Sequence, residues 1–259
     1  MSYALTKQPG TTGTSRPARL PGTLVTGLLL SRLVFFAVFQ VVAALLLAAA
    51  GTTNAWTASA AWWPLTAAAA NLVSLGVLRA LLRREGAGLA GFYRPHAGSW
   101  EGDLWRLLLV TLAGGALAAG TNMMLASWLY GDPQGGYMLL VQPLPLWAAI
   151  TAVVLFPVTT ALAELPTYYG YLQPRLAQLS RHGWLVVLVP ALFHALQHIT
   201  LPVLFDATYL LWRGLMFLPF ALLLSWALRR RPSLLPYLVV IHFLLDLQAA
   251  LAVLAVAQG

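Results

Sequence analysis

The sequence predicts an all-α polytopic transmembrane bundle of about seven spans, and three observations carry that expectation. The 259 residues are 60% hydrophobic and 8% charged, whereas soluble domains run at roughly 45–50% and about 25%. Apolar stretches recur, each long enough to cross about 30 Å of hydrocarbon as a helix. The basic residues behind the net charge of +8 stand at the ends of those stretches instead of forming one soluble surface, so the charge reports topology and argues against a nucleic-acid partner.

Residues 1–20 are polar and rich in Pro, Gly and Thr, which predicts a disordered cytoplasmic tail ahead of an uncleaved first span. Spans are expected at 23–50, 59–82, 104–129, 143–173, 184–204, 207–228 and 234–257. Residues 21–142 form the N-terminal helices and 143–259 the core that carries the chemistry. Lys7, Arg16 and Arg19 precede the first span, Arg79, Arg83 and Arg84 follow the second, Arg175 and Arg181 the fourth, and Arg229, Arg230 and Arg231 the sixth. The loops near Asn54, Asp132 and Asp206 lack Lys and Arg until Arg213, so the N-terminus is expected in the cytoplasm of a multi-pass cell-membrane protein. Arg32 and Arg106 are expected to snorkel from cytoplasmic helix ends. Phe92, Tyr93 and Trp100, in the segment EGAGLAGFYRPHAGSWEGD, suit the headgroup layer. The chain has no cysteine, which removes disulfides, thiolate nucleophiles and thiolate metal sites together.

The last four spans differ from the first three. Glu164, His194, His198, His242 and Asp246 lie far from any span end, where a charge costs about 2.5–3.5 kcal/mol even on the lenient insertion scale. At about 1.5 Å rise per residue, Glu164 lies roughly 16 Å from Arg175, His194 and His198 roughly 20 and 26 Å from Arg181, and His242 and Asp246 roughly 16 and 22 Å from Arg231. Three helices thus bring polar groups to one layer. His194 and His198 are four residues apart, as are His242 and Asp246, so each pair occupies one helix face. Pro166 follows Glu164 by two residues and frees a backbone carbonyl, which a bilayer tolerates where protein or a water-lined cavity satisfies it. A water-accessible pocket at Glu164 is the expectation.

A carboxylate beside imidazoles in a dry cavity is equipment for activating water, with the carboxylate as base and histidines orienting the water or holding an oxyanion. The same residue types leave a zinc site possible at His198, His242 and Glu164. HExxH and GxGD, signatures of other intramembrane proteases, are missing, and none of the expected spans carries a GxSx.

These residues resemble the CPBP intramembrane proteases, the ABI or CAAX-prenyl-protease-like family. Its motifs read EExxxRG, FxxxH and HxxxD or HxxxN, in that order. Here Glu164 to Gly170, ELPTYYG, stands for the first, His198 ends the second, and His242 with Asp246 is an intact third. The likeness covers about residues 143 to 256. It implies a membrane-embedded endopeptidase with Glu164 as catalytic base, helped by His198, and with His242 and Asp246 at the oxyanion. Leu165 and Tyr169 replace the family's second glutamate and arginine, and His194 replaces its phenylalanine. Concerted loss of a buried pair is often neutral, whereas loss of one partner is costly, which favours a discarded structural ion pair over decay of the site.

His194 reads either as a direct participant or as a neighbour of His198 or Glu164, and Tyr169 as packing or as a hydroxyl in place of the arginine. Tyr168, Tyr171, Asp206 and Arg213 read as packing or interfacial groups. Three functions compete. The first is an endopeptidase acting on a peptide or membrane-protein substrate amid lipid. The second is a catalytically silent relative that binds peptides or partner proteins, as in bacteriocin immunity or secretion. The third is a haem or proton-relay protein using His198 and His242.

Overall fold

The structure is a computed structural model and describes residues 21–95, 98 and 100–258; the tail predicted at 1–20 lies outside them. Among the described residues seven helices are long and apolar enough to cross a membrane. They are α1 (Gly22–Ala49), α2 (Ala55–Arg84), α3 (Trp100–Tyr130), α4 (Leu146–Leu179), α5 (Gly183–Thr200), α6 (Ala207–Arg230) and α7 (Pro232–Gln258). The expected spans are found, with ends displaced by a few residues, the helix running past the expected end at some termini and stopping short of it at others.

Helix α4 is the centre of the bundle. It packs against α2 on one side and α7 on another, while α1 lies against α2 and reaches α4 and α5. Helix α5 pairs with α6, and α3 leans on α6 with most of its surface left for lipid. The buried face of α1 runs Val25, Leu28, Leu29, Arg32, Phe36 and Gln40, a spacing of three and four that puts two polar side chains on the stripe facing the bundle.

Prolines shape the core by orphaning carbonyls, and specific side chains answer them. Pro166 cannot donate to the carbonyl of Leu162 four residues earlier. The Tyr93 hydroxyl, from the segment between α2 and α3, donates to that carbonyl at 2.8 Å. A π-helical stretch, Pro166–Leu172, follows inside α4, a register change often found at functional sites. Pro190 likewise frees the carbonyl of Val186, which accepts from Gln173 Nε2 at 3.3 Å. The same amide nitrogen donates to the Ser225 carbonyl at 2.9 Å, joining α4, α5 and α6.

Several expectations are corrected here. Tyr93, expected to serve only at the interface, donates to a carbonyl of α4, and Phe92 packs beside it against the core; Trp100 is 61% exposed. A protein hydroxyl meets the carbonyl freed by Pro166, so the proline gives no argument for a water-lined pocket. Tyr168, Tyr169 and Tyr171 are all buried, because the π-helical turn winds them inward against α5, α1 and the Glu85–Arg175 ion pair. Arg213 is buried as well and donates to the Leu201 carbonyl from Nε at 3.3 Å and Nη2 at 3.0 Å.

Tyr93→Phe is expected to cost about 1 kcal/mol, the lower end for abandoning an acceptor that is only partly buried. In a Pro166→Ala background the loss should shrink, since a backbone N–H then competes for the same carbonyl. Thermal melts of the four proteins in detergent check this, and equal losses in both backgrounds would separate Tyr93 from the proline. Burial raises the Tyr93 hydroxyl to about 12. Its contribution is therefore complete below about pH 10, the unfolded value, and is lost as pH rises toward 12.

Candidate active site

Four helices converge on Glu164. From α4 its carboxylate projects into a layer where it is nearly fully buried, at 2% exposure. Oε1 lies 2.7 Å from His194 Nε2 of α5 and 3.1 Å from His242 Nε2 of α7. Oε2 accepts from Arg32 Nη2 of α1 at 3.0 Å.

Arg32 is the largest departure from expectation. In place of snorkelling to the membrane surface it is fully buried, with Nε donating to Gln197 Oε1 at 2.6 Å and its guanidinium 5.1 Å from the Phe36 ring. A mid-bilayer guanidinium is too costly to leave unpaired, and the Glu164 carboxylate, facing the same problem, neutralises it. The sequence signal was present in SRLVFFAVFQ, where Arg32, Phe36 and Gln40 recur every four residues on one face. Gln197 was likewise missed, an amide inside HALQH with no partner readable nearby.

His194 and Tyr169, two of the three replacements in the first and second motifs, touch each other. Tyr169 Oη is 2.6 Å from His194 Nδ1 and donates to the Ala221 carbonyl at 3.1 Å, while Tyr168 stacks on the other side of the imidazole with ring centres 5.6 Å apart. A carboxylate facing a guanidinium accepts hydrogen bonds, so the His194 Nε2 proton is on the Glu164 side whichever neighbour the Tyr169 hydroxyl serves.

His198 stands differently. It sits on the 3₁₀ turn Gln197–Thr200 that ends α5, with Nδ1 3.1 Å from the Ala195 carbonyl and its ring 4.4 Å from that of Phe217. Its ring centre is 5.9 Å from that of His194. His198 thus stays beside His194, one turn on, and His194 is the histidine of this pair that bonds Glu164. On α7, His242 Nε2 lies 3.4 Å from Asp246 Oδ2, within ion-pair distance of both carboxylates yet aligned for a hydrogen bond to neither.

A zinc site at His198, His242 and Glu164, which the residue types left open, does not fit this arrangement. Glu164 is occupied by Arg32 and His194, His198 turns toward Phe217, and no three His, Asp or Glu side chains among the described residues are grouped to hold one metal ion.

Exposure grades across the site. Arg32 and Gln197 are fully buried, while the side chains of His242 and Asp246 are 11% and 17% exposed. Of the eleven buried side-chain nitrogen and oxygen atoms without a partner among the described residues, five belong to Arg32, Gln197, His242 and Asp246. Orphaned buried polar atoms are rare in folded proteins, and they concentrate in this layer.

Residues 145–248 match the family model described as type II CAAX prenyl endopeptidase Rce1-like. Over that segment the chain is similar to the CAAX-protease-like family. Glu164, His194, Gln197, His198, His242 and Asp246 all fall inside the matched segment of this CAAX-protease-like core, and Arg32 lies outside it, on α1. No curated protein and no solved structure matches the chain.

Proposed function

We propose that the chain is an intramembrane endopeptidase that hydrolyses a peptide bond of a membrane-associated substrate with water activated by Glu164. The observation that supports it is one buried carboxylate shared by histidines from two helices, inside a CAAX-protease-like core. Oε2 accepts one bond, from Arg32, and keeps capacity to take a proton from water. Water oxygen attacks the carbonyl carbon, Glu164 takes its proton and returns it to the departing amine, and the C–N bond breaks. His242, beside Asp246 on the more exposed edge, and His198 are the groups placed to meet water and substrate from that edge. His194 and Tyr169 keep the carboxylate oriented from the closed side. Release of peptide by the purified protein, lost in Glu164→Gln, is the test.

A second reading, a catalytically silent relative that binds peptides or partner proteins, is favoured by one observation. Glu164 already has a guanidinium and an imidazole bonded to it, as expected of a purely structural carboxylate. Binding without turnover separates it from the first.

The N-terminus is proposed to face the cytoplasm. The chain has no cysteine, so single replacements report cleanly. Cysteine at exposed Gln134 should react with an impermeant reagent in intact cells and cysteine at exposed Gln178 should not. The reverse pattern would invert the topology.

A further inference from the structure

Helix α1 grips the chain segment that carries His198 at two points. At one end Arg32 Nε donates to Gln197 Oε1 at 2.6 Å. At the other, Gln40 Nε2 donates to the Val203 carbonyl at 2.9 Å while its Oε1 accepts from the Val203 N–H. Arg32 and Gln40 are eight residues apart on one buried face of α1, a separation of roughly 12 Å along the axis. The segment from Gln197 to Val203 is therefore laid against α1 between two fixed contacts, with His198 next to the first.

The first contact does more than hold the turn. The Arg32 guanidinium uses Nε for Gln197 and Nη2 for Glu164, so one rigid planar group spans the acid of the first motif and the residue preceding the histidine of the second. Gln197 is itself oriented: its Oε1 accepts from both Arg32 and the Tyr168 hydroxyl, the latter at 3.3 Å, which fixes which end of the amide faces them. Tyr168 returns the connection to α4, four residues beyond Glu164. The closed circuit runs Glu164, Arg32, Gln197, Tyr168 and back along α4, and all four side chains are buried.

We infer that Arg32 is a positioning residue for catalysis, setting the distance and orientation of Glu164 relative to the turn that bears His198, and that α1 thereby forms part of the active site. The inference rests on the endopeptidase reading and lies outside the residues the family model matches. Charge alone does not suffice for this role. A lysine would neutralise Glu164 as a point charge, but it lacks the planar fork that holds Gln197 and Glu164 at once. The alternative, an arginine that only stabilises the fold, makes a different forecast: any variant that folds should turn over normally.

The experiment measures peptide release by the purified full chain in detergent, with melts alongside, for wild type, Glu164→Gln, Arg32→Lys, Gln197→Leu and Gln40→Leu. Arg32→Lys is expected to lower kcat by about 10²-fold with KM little changed, the scale for a misplaced reacting group. Gln197→Leu keeps the Arg32–Glu164 pair and opens the circuit, and is expected to lower kcat by about 10-fold, again with KM little changed. Gln40→Leu, at the far contact, should lower it less. If Arg32→Lys fails to fold, Gln197→Leu decides alone. Folded Arg32→Lys or Gln197→Leu with wild-type kcat, in a preparation where Glu164→Gln is inactive, would overturn the positioning role and leave the endopeptidase reading intact. Full activity in Glu164→Gln would instead remove that reading and this one with it.

Discussion

Glu164→Gln is expected to lower peptide release by about 10²–10⁴-fold, the usual contribution of a positioned general base. The change preserves shape and removes the group that takes the proton from water. The amide oxygen can still accept from Arg32 or His194, so the protein should remain folded, as gel filtration and a melt would check. His198→Ala should also lose activity, although its ring does not bond Glu164 in this structure, because it stands on the turn at the edge of the same site. The Glu164→Gln, His198→Ala double variant should lose little more than the first change alone, since residues that act as one unit are non-additive. His194→Phe, which restores the family's residue, is the informative contrast. It removes the 2.7 Å contact to Glu164 and leaves the Tyr169 hydroxyl with the Ala221 carbonyl alone. A folded but inactive His194→Phe would show that this chain depends on the added histidine.

The second large effect concerns stability. Arg32→Met and Glu164→Leu should each destabilise by about 3–5 kcal/mol, because each abandons a charge at 0–2% exposure. The double variant Arg32→Met, Glu164→Leu should recover most of that loss, since two apolar side chains can replace a buried pair at little cost. Denaturation of the four proteins in the same detergent measures the coupling. Additive losses would mean that Arg32 and Glu164 do not stabilise one another, whatever their separation. The double variant should remain inactive, so stability and turnover part company at this pair.

The bundle was legible because membrane length is a one-dimensional constraint. Apolar runs near 20 residues and basic residues at their ends located the helices to within a few residues without reference to any neighbour. The polar layer was legible for the same reason, since counting residues from the nearest arginine measures depth, and Glu164, His194 and His242 do meet at one level. Arg32 misled that arithmetic. About ten residues into α1 it could either reach back to the surface or turn inward, and its own helix does not say which. Depth alone also did not say that, of the two neighbouring histidines, His194 and not His198 on the turn Gln197–Thr200 would bond the acid.

What the sequence determined by itself was the all-helical membrane-spanning class, the depth of the polar residues and the order of the three motifs. The tertiary structure alone decided that Arg32 pairs with Glu164, that His194 is the histidine of α5 bonded to the acid, that Tyr169 supports His194, and that Tyr93 answers the carbonyl freed by Pro166. The physical reason is that the rise per residue sets depth along an axis. Which partner a buried charge or carbonyl finds depends on how separate helices are rotated and crossed, and that is settled only when each unpaired polar group in the low-dielectric core has been neutralised or hydrogen-bonded by a neighbour from another part of the chain.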